Sequence, residues 1–200
     1  MKRKVDMKEM RWVNPPHHYV VKKNCVIMET DPYTNLWAQT YWKITQQNAH
    51  AFVFDIEDEF TFTMRMDFRF NEHYDQAGMI IWANDDNWFK IGMEYVDKEH
   101  SYLGTTVTYH GFSDYSSREI ASGMSSMYFR LSHRDEDFKV ENSFDGVRFR
   151  QMRMFHLKNR TGKFSVGIYA CSPLDSSFDV TFSEMTLEPC IWEQKEPTVK

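Results

Sequence analysis

The sequence predicts an all-β protein whose antiparallel strands pack as a β-sandwich or a barrel, and three observations carry that prediction. The first is alternation. From Phe60 through Phe70 (Phe-Thr-Phe-Thr-Met-Arg-Met-Asp-Phe-Arg-Phe) every even position is apolar and every odd one is polar. Successive strand side chains point to opposite faces, so this run reads as a half-buried strand of an antiparallel sheet. The second is turn chemistry between short apolar runs, and the third is that no 3.6-residue period persists over three turns.

The remaining elements follow in order. Runs at 77–83 and 88–96 flank Asn84-Asp-Asp-Asn87, a polar four-residue turn and therefore a hairpin. Runs at 127–133 and 138–143 flank Arg134-Asp-Glu-Asp137 in the same way. Asp145-Gly146 leads into a strand at 147–155, because a D-G pair favours the positive φ of tight turns. Asn159-Arg-Thr-Gly162 leads into 164–171, and 178–185 reads as a late strand. Many short strands at near-regular spacing imply one domain, a β-sandwich or a barrel, over residues 12–190. Residues 1–11 then form an N-terminal extension and 191–200 a C-terminal tail, with the first ten residues and the tail dispensable.

Composition narrows the function classes. The 200 residues are 42% hydrophobic, 26% charged and 16% aromatic. That is too apolar for disorder, and the rings supply much of the area a core needs. A net charge of −5 argues against a counterion-releasing grip on nucleic acid. No run approaches the roughly 20 apolar residues of a membrane span, and the charged MKRKVDMKEMRW start has no apolar signal-peptide core. Cys25, Cys171 and Cys190 are well separated and odd in number, which suits reduced thiols in a cytoplasmic protein. No metal-ligand spacing, nucleophile elbow or phosphate-cradling glycine loop occurs, so neither metal nor cofactor is expected.

Alternation also sorts candidate functional residues onto faces. Phe89, Ile91, Met93 and Tyr95 form the apolar side of their strand, leaving Trp88, Lys90, Gly92 and Glu94 on the other. An indole, a cation, a glycine gap and a carboxylate together suit a ligand that approaches the sheet closely; a solvated face with a Lys–Glu pair would look the same. Without a bulge in the 84–87 turn, position 81 lies opposite 90 and Ala77 opposite Glu94, so that Asp75 joins the Glu94 face and Gln76 points to the core. A bulge exchanges those two roles. Thr106, Thr108 and His110 form one outward polar set, and Tyr128, Arg130 and Ser132 another. The donor fork of Arg130 suits sugar hydroxyls, phosphates or an acid group, and equally a salt bridge. Asp55, Glu57 and Glu59 alternate like glycosidase carboxylates but read as a solvated edge.

Several segments together resemble the domain-of-unknown-function 1349 proteins, also called regulation-of-enolase-like. They are Trp12-x-Asn14-Pro15, Thr30-Asp31 with Trp37 and Tyr41, Tyr74-Asp-Gln-Ala-Gly78, and Trp88-Phe-Lys-Ile-Gly-Met-Glu94. Val107-Thr108, Ser113-Asp-Tyr-Ser116, Arg130, Phe144-Asp-Gly146 and Val166-Gly-Ile-Tyr-Ala170 with Ser172-Pro173 complete the set. Tyr115 stands where the family usually has Trp, which keeps aromatic stacking and loses an indole donor. The resemblance implies a concanavalin A-like lectin/glucanase fold, two curved antiparallel sheets with a concave face that holds sugars in many relatives. It implies no reaction, because fold does not determine function.

The groove expected from these residues includes Trp88, Lys90, Glu94, Asp114, Tyr115 and Arg130, with Asp75 or Gln76 according to register. Its leading use is noncatalytic binding of a carbohydrate or sugar-like small molecule. One alternative is a glycoside-processing enzyme with Glu94 and Asp114 as its acid/base pair. The other is a regulatory module that contacts a metabolic enzyme as its protein partner. Neither nucleic acid nor membrane is an expected partner.

Overall fold

Phe60, Phe62, Met64, Met66 and Phe68, the apolar positions of the alternating run, all lie in one buried layer. Their strand is central in the first of two large antiparallel sheets of a computed structural model, which describes residues 1–159 and 162–193. In spatial order that sheet runs β15 (Arg150–His156), β14 (Asp137–Ser143), β13 (Ser126–Arg134), β8 (Phe60–Phe68), β17 (Asp179–Pro189), β4 (Cys25–Glu29) and β3 (His18–Lys22), with β1 (Arg3–Lys4) paired to β17. The second sheet runs β12 (Phe112–Ala121), β11 (His100–Tyr109), β10 (Asn87–Tyr95), β9 (Gln76–Asn84), β16 (Phe164–Cys171), β7 (His50–Ile56) and β2 (Arg11–Val13). The sheets pack face to face as a β-sandwich, and one 3-10 turn, Met7–Glu9, is the only helical element among the described residues.

The core between the sheets takes alternate residues from each strand, including Ala77, Met79 and Ile81 of β9, Phe89, Ile91 and Met93 of β10, and Val166 and Ile168 of β16. A second apolar cluster covers the other side of the seven-stranded sheet. There Leu36 and Ala38 of a small hairpin, β5 (Leu36–Ala38) and β6 (Thr45–Gln47), pack on Val53, Ile80, Trp88, Tyr169 and Cys171. The hairpin is tied down by Ala38 N–H donating to Ser113 Oγ at 3.0 Å and by Gln47 Nε2 donating to Asp85 O at 2.7 Å. Within its connecting loop Gln39, Tyr41 and Lys43 have φ of 54°, 63° and 57°. Non-glycine residues pay for left-handed backbone.

Several boundaries differ from expectation for local reasons. The 84–87 turn tightens to Asp85-Asp86, because Asn84 Oδ1 accepts from Asp86 N–H at 3.1 Å and from Asn87 Nδ2 at 2.8 Å, and the ladder irregularity falls between Asn87 and Trp88. Asp145 Oδ1 accepts from the N–H groups of Val147 and Arg148, both at 2.8 Å, so β15 begins at Arg150 and not at 147. In the 159–162 turn, Arg160 and Thr161 lie outside the described residues, as do 194–200 of the tail. The expected extension at 1–11 is instead part of the sandwich: Val5, Met7 and Met10 are buried in the core, and Val5 N–H donates to Met185 O at 3.0 Å. Cys25, Cys171 and Cys190 are free thiols. No helix among the described residues is long and apolar enough to cross a membrane.

Candidate functional site

The bulge after Asn87 selects the register that builds the site. Lys90 stands opposite Ile80 and Glu94 opposite Gln76, while Ala77 faces Met93 in the core. Gln76 therefore joins Lys90 and Glu94 on the outer face of the seven-stranded sheet. Asp75 is excluded: it is fully buried at the head of β9, where its Oδ2 accepts from the N–H groups of Asn71 and Glu72 at 2.9 Å and from Ser176 Oγ at 3.2 Å. From the neighbouring strands, Thr106 pairs with both Lys90 and Tyr115, and Tyr102 pairs with Glu94.

These side chains form the floor of a pocket of about 470 Å³. Gln76, Lys90, Glu94 and Thr106 supply the polar groups of its floor, and Asn35 and Gln46 add two amides to its lining. Trp37, Trp42 and Ile44 from the β5–β6 hairpin, with Tyr74, Tyr102, Tyr115 and Leu174, supply aromatic and apolar walls. Trp37 is fixed by Nε1 donating to Thr40 O at 2.8 Å and meets Tyr115 edge-on with ring centroids 6.3 Å apart. Such a chamber, mostly apolar with a few convergent polar groups, is the usual form of a small-molecule site.

Below the floor lies a row of three glycines. Gly78, Gly92 and Gly104 are successive register partners across β9, β10 and β11, with Tyr169 beside Gly78. The expected gap above Gly92 is filled: a Cβ there would come within 2.8 Å of Tyr169 Oη, and one at Gly104 within 2.9 Å of the Tyr115 ring. The glycines thus seat two tyrosines in the sheet surface and do not admit a ligand to its backbone.

Burial governs the electrostatics of the floor. Lys90 is 5% exposed, and its Nζ donates to Gln76 Oε1 at 2.6 Å. No carboxylate among the described residues lies within ion-pair distance of it. Burial lowers the Lys90 ammonium pKa, against the smaller opposing influences of Cys171 and Glu94. Burial raises the Glu94 carboxyl, with Lys90 and His73 pulling the other way. Burial likewise raises Tyr115 and Tyr169 and pushes the Cys171 thiol up to about 12. Thr106 Oγ1 is buried without a hydrogen-bond partner, an unusual state for a polar atom.

The other expected site residues lie elsewhere. Trp88 shares the outer face but is 0% exposed beneath the hairpin, stacked on Trp82. Asp114 pairs with Val107 and so shares its core-side face of the sheet; its side chain, 73% exposed, meets Arg153 Nη2 at 3.2 Å. It cannot face Glu94 through the sheet. Arg130 is on the other sheet, where Nε donates to Glu141 at 2.8 Å and the guanidinium covers the Phe149 ring. Thr106 and Thr108, expected to point outward, are buried. Sequence reasoning passed over Trp42, Ile44 and Tyr102. The register through Glu94 leads to Tyr102, whereas no signal in the sequence shows the hairpin folding back over the sheet. No group of three or more His, Cys, Asp or Glu that could hold a metal occurs among the described residues.

A family model described as "Protein of unknown function (DUF1349)" matches residues 12–190. The chain is 26% identical over 182 residues to regulation of enolase protein 1 of Saccharomyces cerevisiae, covering 91% of this chain and 90% of that protein. It superposes on the crystal structure of a functionally unknown protein from Saccharomyces cerevisiae with a TM-score of 0.87 at 26% identity, over 94% of this chain and all of the other. A mutant of the GH43 protein BlXynB from Bacillus licheniformis gives 0.69 at 12% identity, over 93% of this chain and 37% of that one. The exoplasmic/lumenal domain of VIP36, solved with Ca2+ and Man3GlcNAc bound, gives 0.58 at 8% identity over 95% and 87%. The last two likenesses show the fold alone, a β-sandwich.

Proposed function

Because the chain belongs to the DUF1349 family, whose description assigns no reaction, we propose a function from the pocket itself: it binds a small polyhydroxylated ligand, a sugar or sugar-like compound, without needing a reaction. One observation carries this reading, the apposition of aromatic walls to a buried floor of unspent hydrogen-bonding groups. Trp37, Trp42, Tyr102 and Tyr115 offer faces for the C–H side of a ring. Thr106 Oγ1, which has no partner, and the Lys90 amino group, which uses one donor on Gln76, offer partners for hydroxyls. Glu94 adds an acceptor, or a donor when protonated. Three free cysteines accord with a reducing, cytoplasmic setting.

Glycoside hydrolysis by paired carboxyls has less support, since Glu94 is the only carboxylate among the residues lining the pocket. A regulatory contact with a metabolic enzyme is favoured by one feature besides the relative's name. Trp42, Ile44 and Leu174, which line the pocket, are exposed, and the exposed Tyr41 ring meets Trp42 edge-on.

The test is a thermal-shift and tryptophan-fluorescence screen against methyl glycosides and free sugars. A ligand that binds only the folded chain raises its apparent stability by mass action. Trp37→Ala should weaken that ligand by about fivefold to tenfold, the loss of roughly 1 kcal/mol of ring contact. No stabilisation by any sugar, with saturable binding to enolase that Trp42→Ala abolishes, would replace the sugar reading by the regulatory one.

A further inference from the structure

Lys90 does something a sugar-binding lysine does not require. It is nine-tenths or more buried at the pocket floor, yet its hydrogen-bond acceptor is the neutral Gln76 amide. The groups around it are Gln76 from β9, Thr106 from β11, Tyr115 from β12, Tyr169 and Cys171 from β16, and Glu94 on its own strand. Of these only Glu94 carries a carboxyl, and it lies beyond ion-pair distance. Water binds an ammonium far better than the Gln76 amide oxygen and the Tyr169 ring face, whose centroid is 5.7 Å from Nζ, do together, so burial outweighs that cation–π contact and this position favours the neutral amine. Desolvated lysines in apolar pockets are the ones that serve as nucleophiles.

We propose that Lys90 is a covalent site, whose ε-amine condenses reversibly with the carbonyl carbon of an open-chain hydroxyaldehyde or hydroxyketone to form an imine. The nitrogen lone pair makes the new C–N bond while the carbonyl π electrons move to oxygen, and a proton passes from nitrogen to that oxygen to give the carbinolamine. The C–O bond then breaks with a proton from the Glu94 carboxyl, water leaves, and the nitrogen lone pair closes the C=N bond. The iminium proton returns to Glu94, so one water is released and no oxidant or reductant is consumed. This rests on the pocket accepting a polyhydroxylated small molecule and adds that its ligand has a free carbonyl.

The decisive experiment treats the wild-type protein at pH 7 with glycolaldehyde and cyanoborohydride, followed by peptide mapping. Reduction fixes each imine as a hydroxyethyl group. A lowered ammonium pKa enlarges the neutral fraction at pH 7, so Lys90 should be labelled faster than the exposed Lys98. Labelling of Lys98 with Lys90 untouched overturns the proposal, and because the mapping uses wild-type protein no variant has to fold. Lys90→Met should lose only the fast adduct. Glu94→Gln should slow it, and an undiminished rate would remove Glu94 from the step. Methyl glycosides, which lack a free carbonyl, separate the two readings: stabilisation by a methyl glycoside with no Lys90 adduct ends the imine proposal and leaves sugar binding standing. Neither effect ends both.

Discussion

Gly92→Ala is the substitution that most directly tests how the pocket floor is built. An alanine Cβ at this position would lie 2.9 Å from the Ala77 carbonyl carbon, closer still to its oxygen, and 2.8 Å from Tyr169 Oη. The tyrosine could move; the Ala77 carbonyl, inside the β9–β10 ladder, could not without separating the strands. Forcing one extra methyl into a packed site costs about 1–3 kcal/mol, and the backbone clash places this case near the middle, at roughly 2 kcal/mol. For a chain of this size 1 kcal/mol is worth about 2–4 °C, so the midpoint should fall by about 4–8 °C. Differential scanning calorimetry would measure it, with Gly123→Ala as control, since nothing lies within 4 Å of a Cβ there. A Gly92→Ala midpoint equal to that of the control would mean that the glycine row does not bring the strands and Tyr169 together.

Other consequences are equally open to measurement. Because burial raises the folded-state Glu94 pKa above its usual 4.5, the folded chain holds that proton where the unfolded one has released it, and Glu94 costs stability as pH rises from about 4.5 through the raised value. Urea midpoints should therefore show Glu94→Gln gaining on wild type across that window and then levelling; a constant difference contradicts the burial. Cys171, fully buried with its thiol pushed up to about 12, should resist alkylation until unfolding, while the half-buried Cys25 and Cys190 react in the native protein. Met7→Ala, 8% exposed at the edge of the core, should cost about 2–3 kcal/mol by denaturant titration; a loss under about 0.5 kcal/mol would make the N-terminal residues dispensable after all.

What could be read in the sequence was whatever a period of two encodes. Alternation at 60–70 and 88–94 assigned faces within each strand, and those assignments hold for Phe62, Ile91 and Lys90. It could not say whether the 84–87 turn carried a bulge. One residue of slip exchanged Asp75 for Gln76, and the hydrogen bonds of Asn84, which decide it, are local geometry with no signature in the pattern. Nor does alternation say which strands share a sheet. Arg130 has the right chemistry on the wrong sheet, and Asp114 the right sheet on the wrong face. The walls from Trp37 and Trp42 were hardest, because Trp37 lies in a three-residue strand too short to display a period and Trp42 in the loop that follows it.

The β5–β6 hairpin gives the pocket one wall that is not part of the continuous ladders. The floor strands β9, β10 and β16 are hydrogen-bonded on both sides, so their amides should exchange with solvent only when the whole molecule opens. The hairpin has three-residue strands and three left-handed residues in its loop, so its amides belong to the low-free-energy end of local opening. Ligand passage would then be timed by the hairpin while ligand identity is read by the floor. Residence time and selectivity could be altered separately, the first at Gln39, Tyr41 and Lys43 and the second at Gln76, Lys90 and Thr106.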